Sequence, residues 1–294
     1  MGTPDFAVYS LKILVNRGYN IVAVITTSDK PSGRGRKLNF SPVKKFCLNN
    51  NLKYLQPKSL KDKLFINELN LLDADLQVVV AFRKLPKVIW EMPKLGTFNL
   101  HASLLPKYRG AAPINWALIN GEKETGVTTF LINEEIDTGK ILLQKKIKIQ
   151  DDENAGSIHD KLMIIGSDLI CDTIDNFKTI KKKKQSGMPS LAPKIFKNDC
   201  KINWNNNIDE IFNKIRGLSP YPSAWCDFLN NKTIKILKSE IELFKHDLKI
   251  GEILSDNKTY LKFAAKNGFI KVLELQLEGK RKVSIQEFLR GYKI

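Results

Sequence analysis

An amide and an imidazole two residues apart, Asn99 and His101, and a carboxylate further on at Asp137, are the side chains of this chain whose types and spacing best suit acyl chemistry. Attack on a carbonyl needs donors aimed at the oxygen that turns negative and a group that receives a proton. Residues two apart on an extended segment face the same side, so Asn99 and His101 address one pocket if they close a strand. Taken singly, Asn99 also reads as a turn cap, His101 as a satisfied, partly buried histidine, and Asp137 as a carboxylate closing its own Ile-Asp-Thr-Gly turn. His101 is one of only three histidines, and it opens a Pro- and Gly-punctuated segment, NLHASLLPKYRGAAPINWALINGEKETGVTTFLINEEIDTG, that concentrates polar and small residues.

Such a segment must be delivered by a scaffold, and the periodicity supplies one. Apolar positions at helical spacing run from Phe6 to Arg17, followed by a buried strand at Val22 to Ile25. Further helices are expected at Ser41 to Asn49, Lys61 to Leu72 and Pro113 to Ile119, and a long amphipathic one at Ala155 to Ile180. The β-branched run LQVVVAF, Leu76 to Phe82, is of the kind that a parallel strand buried on both faces requires, and Gly96 to Leu100 is the strand that presents Asn99 and His101. Strands also read at Lys53 to Gln56, Gly126 to Leu131 and Ile141 to Ile149. The alternation implies an α/β fold with a doubly wound, mostly parallel sheet, in which ligands collect beyond the carboxyl ends of strands. No GxGxxG follows a strand, which disfavours a dinucleotide enzyme. The chain opens on a Gly-Thr-Pro turn that would ordinarily follow a strand, so either the fold lacks that strand or the start lies upstream.

After the basic run Lys181 to Lys184 comes QSGMPSLAPK, rich in Pro, Ser and Gly. The expected division is therefore a first domain at 1–184, a linker at 185–200 and a second domain at 201–294. In the last, Thr233 to Leu237, Glu240 to Leu243, Thr259 to Ala264 and Phe269 to Leu277 are spaced like strands of a small OB-type β-barrel.

The formal net charge is +17, from 48 Lys and Arg against 31 Asp and Glu. A balance this basic favours a polyanionic partner, although a Lys-, Asn- and Ile-rich composition also follows from biased codon usage. One loop, TTSDKPSGRGRKL, gathers Lys30, Arg34, Arg36 and Lys37; it reads as a phosphate-touching arm or as a solvated surface loop. Cys47, Cys171, Cys200 and Cys226 form no CxxC pair, so neither a disulfide framework nor a metal site is expected. Lacking a long apolar run or a signal-like start, the chain is expected in the cytoplasm, without a membrane partner.

These residues are similar to those of the methionyl-tRNA formyltransferase family. The resemblance covers nearly the full length and is carried by GTPDFAV (Gly2 to Val8), NLHASLLPKYRGAAPINWA (Asn99 to Ala117), ETGVT (Glu124 to Thr128), IDTG (Ile136 to Gly139) and APK (Ala192 to Lys194). It implies a Rossmann-like formyltransferase domain and a C-terminal tRNA-binding barrel, with 10-formyltetrahydrofolate as formyl donor, initiator methionyl-tRNA as acceptor, no metal and a monomeric state. The catalytic triplet would be Asn99, His101 and Asp137. The folate-binding loop would be Ser103, Leu104, Leu105 and Pro106. The arm at the tRNA acceptor end would be Lys30, Arg34, Arg36 and Lys37. Phe82, Arg83 and Lys84 depart from the Tyr-Gly that relatives often carry before Leu-Pro. Competing readings are a formyltransferase acting on an amino-sugar nucleotide or on glycinamide ribonucleotide, and a non-enzymatic RNA-binding protein, which leaves Asn99, His101 and Asp137 unexplained.

Overall fold

The computed structural model of this 294-residue protein describes residues 1–32 and 37–294, the side chains of 30–32 and 37–38 excepted. Helices form at α1 (Asp5–Asn16), α2 (Pro42–Asn49), α3 (Lys63–Leu71), α4 (Lys87–Trp90), α5 (Pro113–Ile119), α6 (Ala155–Asp175), α7 (Ile208–Leu218) and α8 (Ile285–Gly291). Strands form at β1 (Val24–Ile25), β2 (Lys30–Ser32), β3 (Lys37–Asn39), β4 (Tyr54–Leu55), β5 (Gln77–Val80), β6 (Thr97–His101), β7 (Arg109–Gly110), β8 (Glu124–Leu131), β9 (Ile141–Lys148) and β10 (Leu191–Ala192). Beyond these come β11 (Ala224–Asp227), β12 (Thr233–Leu243), β13 (Ile253–Ser255), β14 (Leu261–Ala265), β15 (Gly268–Leu277) and β16 (Lys282–Ser284). Two compact units result: one holds Met1–Gly110, Gly126–Ile147 and His159–Leu191, the other Ala111–Thr125, Lys148–Ile158 and Ala192–Ile294.

In the first unit β1 pairs β4 in parallel and β5 pairs β6 in parallel, with Val79 opposite Asn99. Beyond β6 the sheet turns mixed: β8 runs antiparallel to β6, with Asn99 opposite Phe130 and His101 opposite Thr128. Met1 and Gly2 join the two parallel pairs. The Gly2 N–H donates to the Ile25 carbonyl at 3.0 Å, the Val80 N–H to the Met1 carbonyl at 2.9 Å, and the Met1 ammonium to the Val78 carbonyl at 2.7 Å. A Cβ on Gly2 would lie 2.5 Å from Ala7 Cβ and 2.8 Å from the Val80 oxygen, so a side chain here would push α1 off β5. Burial pushes the Met1 amine down to about 5, and a cavity of about 330 Å³, lined by apolar residues such as Leu11, Val24 and Val78, opens beside it.

Helix α6 covers one face of β6. A Cβ on Gly166 would fall 2.8 Å from Leu100 Cδ2, so the helix lies almost on the strand. Because side chains alternate along a strand, Leu100 facing α6 leaves Asn99 and His101 together on the opposite face. Among the described residues no helix is long and apolar enough to cross a membrane.

The second unit is built on an antiparallel sheet of order β11-β12-β15-β14-β13, with β16 beside β15. Ile208, Ile211, Ile215 and Leu218, one stripe of α7, are buried in its core with Ile234, Ile270 and other sheet residues. No pairing among the described residues closes this sheet, so the expected barrel is corrected to an open antiparallel sheet. The two expected strands at 233–237 and 240–243 are one, β12, which passes through a bulge between Ile236 and Ser239.

All four cysteines are buried and free, and burial pushes the Cys226 thiol up to about 12. Iodoacetamide at pH 8 is therefore expected to leave the native protein unlabelled and to modify all four thiols in urea; mass spectrometry showing native labelling at Cys226 would contradict this burial.

Candidate active site

Strand β6 ends at His101, and the backbone of the residues that follow, ASLLP, is held by side chains of β8 and β9 instead of by a strand ladder. Thr128 on β8 is the post. Its hydroxyl donates to the Ser103 carbonyl at 2.7 Å and accepts the Leu105 N–H at 3.2 Å. Gln144 on β9 donates to the Leu105 carbonyl and to Thr128 Oγ1, both at 2.9 Å. The Ser103 hydroxyl closes the loop on the Lys107 carbonyl at 2.6 Å. Of the four residues expected to touch folate, Ser103 and Leu105 are buried and form this frame, while Leu104 and Pro106 stay half-exposed.

His101 is 6% exposed and Asp137 15%. The imidazole Nε2 lies 2.8 Å from the Tyr108 carbonyl. A carbonyl only accepts, so Nε2 carries the hydrogen of this bond and Nδ1 is the ring atom turned toward Asp137. Nδ1 faces Asp137 Oδ2 at 3.6 Å, longer than a hydrogen bond, so a protonated Nδ1 is placed to serve a nearer oxygen as well as the carboxylate. Asp137 Oδ2 is fixed independently by the Gly110 N–H at 2.8 Å. Its backbone adopts φ 56°, a left-handed conformation that Asp tolerates better than most residues. Phe130 packs edge-on against the imidazole, with centroids 6.4 Å apart.

Asn99, on the same face one pleat back, is half-buried, and its amide makes no hydrogen bond with any described residue. An amide that no described residue uses therefore lies on the face of β6 that also carries His101, near the carboxyl end of the strand. Asn99, His101 and Asp137 thus come together in the first unit.

Of the expected phosphate arm, Arg34 and Arg36 and the side chains of Lys30 and Lys37 lie outside the described residues. Its base is anchored at Asp29, which accepts from Gln56 Nε2 at 2.9 Å and from the buried Lys44 ammonium. Gln56 and Lys44 together hold the Asp29 carboxyl below its usual range. Arg83 folds back onto the carbonyls of Lys58, at 3.1 Å, and Pro57, at 2.5 Å. Among the described residues no cluster of His, Cys, Asp or Glu could hold a metal ion. Sequence reasoning missed Thr128, Gln144 and the residues that brace Asp137; a Thr or Gln within a strand carries no local signal of a partner many residues away.

The formyl transferase family model matches residues 2–174, and the model of that family's C-terminal domain matches residues 194–293. A methionyl-tRNA formyltransferase of Bacteroides thetaiotaomicron is 51% identical over 100% of this chain and 95% of its own length. One of Flavobacterium johnsoniae is 52% identical over 99% of this chain and 94% of its own. Among solved structures, the sugar 3N-formyl transferase WlaRD, in the presence of dTDP and 5-N-formyl-THF, superposes with a TM-score of 0.65 over 95% of this chain and 97% of that one. Its identity is 24%, a likeness of fold.

Proposed function

The chain belongs to the formyl transferase family, and from that premise we propose that it transfers the formyl group of 10-formyltetrahydrofolate to the α-amino group of methionine esterified to initiator tRNA. The observation that carries this reading is the Asn99, His101 and Asp137 cluster, in a chain about half identical, end to end, to methionyl-tRNA formyltransferases.

The bound donor supplies a formyl carbon already activated for attack by an amine. The chemistry of the cluster fits that group: Asn99 presents N–H donors that no described residue uses. In our reading the Asn99 amide and the Nδ1–H of His101 donate to the formyl oxygen as negative charge builds there. Asp137 accepts the proton that leaves the attacking nitrogen, directly or through a water, and the same proton returns to the donor nitrogen as its bond to the formyl carbon breaks, releasing tetrahydrofolate. The His101–Tyr108 bond keeps Nε2 out of this exchange. Leu104 and Pro106 are the members of the 103–106 loop exposed enough to touch a pterin ring.

Methionine and formyl are small, so selecting the initiator falls to the tRNA. The basic loop, with Arg34, Arg36 and Lys37, is read as the arm at the acceptor end. The C-terminal sheet is read as an open oligonucleotide-binding platform; residues 201–294 carry 17 basic against 11 acidic residues. Neutralising Arg34, Arg36 and Lys37 together is expected to raise the tRNA KM and to flatten the salt dependence by about one unit of slope for each phosphate that the loop engages. An unchanged slope would remove the loop from the interface. The reading as a whole is tested by assaying transfer from the folate donor to methionyl initiator and methionyl elongator tRNA in parallel. Formylation of the initiator alone is expected; equal formylation of both would reject tRNA selection, and none would reject the activity.

A further inference from the structure

The segment after the basic run, expected as a linker from residue 185, is tied to the backbone that carries Asp137 and to Tyr108 and Arg109. Its entry is fixed to β9 by reciprocal backbone bonds between Lys183 and Ile141, at 2.8 and 2.9 Å. Gln185 then uses both ends of its amide. Its Nε2 donates to the Asp137 carbonyl at 2.8 Å and to the Gly139 carbonyl at 3.0 Å. Its Oε1 accepts from Arg109 Nη2 at 2.6 Å and Nε at 3.1 Å. Five residues on, Ser190 takes the Tyr108 N–H on its hydroxyl and the Arg109 N–H on its carbonyl, each at 2.9 Å.

These bonds meet the two fixed points of the site. Tyr108 carries the carbonyl that orients His101, and Gly110, next to Arg109, carries the N–H that holds the Asp137 carboxylate. The Asp137 turn is the part most in need of an outside hold, since its central residue sits at φ 56°. An amide is suited to this place: it must donate to two carbonyls on one side and accept from a guanidinium on the other, which neither a carboxylate nor an amine does.

Resting on the site reading given above, we propose that Gln185 is a positioning residue for formyl transfer: bridging Arg109 to the Asp137–Gly139 backbone, it sets the spacing between Asp137 and His101. It touches no reacting atom and acts through Asp137.

The test compares Gln185→Met, which removes both halves of the bridge, with Gln185→Glu, which keeps the acceptor for Arg109 but loses the donor to the two carbonyls. Both are expected to lower kcat about 10- to 100-fold, the scale of a misplacement near 1 Å. The KM values for folate donor and tRNA should stay within about threefold, and the kcat–pH profile should shift because the spacing of a proton-carrying pair has changed. The third arm is the cycle with Asp137→Asn. If Gln185 acts through Asp137, Gln185→Glu on the Asp137→Asn background costs little more, whereas independent action gives additive losses. Wild-type kcat and pH profile in Gln185→Glu, or additive losses in the double variant, would overturn the proposal while leaving the site reading intact. Full activity of Asp137→Asn alone would instead overturn the site reading and the proposal together. Should Gln185→Met fail to fold, by circular dichroism, Gln185→Glu carries the test.

Discussion

Asn99→Ala is expected to lower the single-turnover rate of formyl transfer about 100- to 1,000-fold, the usual cost of one oxyanion donor, with KM for both substrates nearly unchanged. The expectation rests on what the amide does in the folded protein without substrate. It holds no partner among the described residues, so its removal strands no buried group and leaves β6 paired to β5 and β8 through the backbone. A loss of rate without a loss of stability therefore reports on the reaction. His101→Ala is a less clean probe. It also removes the Nε2–H bond to the Tyr108 carbonyl, and the loss of such a hydrogen bond costs about 0.5–1.5 kcal/mol. The pair should separate: Asn99→Ala melting with the wild type, His101→Ala melting earlier, both slow. Wild-type single-turnover rates in both would remove them from the chemistry.

The placement of Asn99 and His101 on one face follows from their spacing and from the β-branched run that precedes them, because strand alternation is a local rule. Pro113 to Ile119 is equally legible, since Pro at the first turn of a helix lacks only an N–H that would be unpaired there. What local rules do not hold is direction and reach. Gly126 to Leu131 reads as a strand, yet nothing in those residues states that it runs antiparallel to β6. The helix expected to reach Ile180 ends at Asp175. Past that point Asn176 donates its amide to the Asp172 carbonyl and Thr179 its hydroxyl to the Asn176 carbonyl, so side chains compete for backbone acceptors in a stretch that still looks amphipathic. Gln185 is hidden for a related reason. Its segment has the composition of a linker, and its partners Arg109, Asp137 and Gly139 are brought to it only by the folded sheet. Motif spacing marks the residues that meet a substrate; the residues that hold them have no spacing to keep.

Gly139→Ala is expected to abolish most of the activity and to lower stability by about 2 kcal/mol or more, above the middle of the range for forced overpacking. A Cβ at this buried position would fall 1.6 Å from the Leu131 carbonyl oxygen and 2.8 Å from its carbon, both backbone atoms of β8 that no rotamer change can move. Relief requires the 132–139 turn to lift away from the strand, which breaks the Leu131 N–H bond to the Lys140 carbonyl, 2.9 Å in the native turn. The Gly139 carbonyl would leave Gln185 in the same movement, and Asp137, two residues back, would lose its registration against Gly110 and His101. Gly291→Ala is the control of opposite sign. At the end of α8 an added Cβ meets nothing within 4 Å, and alanine for glycine in a helix is worth about 0.5–1 kcal/mol of added stability. Urea melts and kcat measured on both variants should therefore move apart, Gly139→Ala losing both and Gly291→Ala neither. A Gly139→Ala protein with wild-type kcat would mean that Asp137 finds its place without the help of this turn.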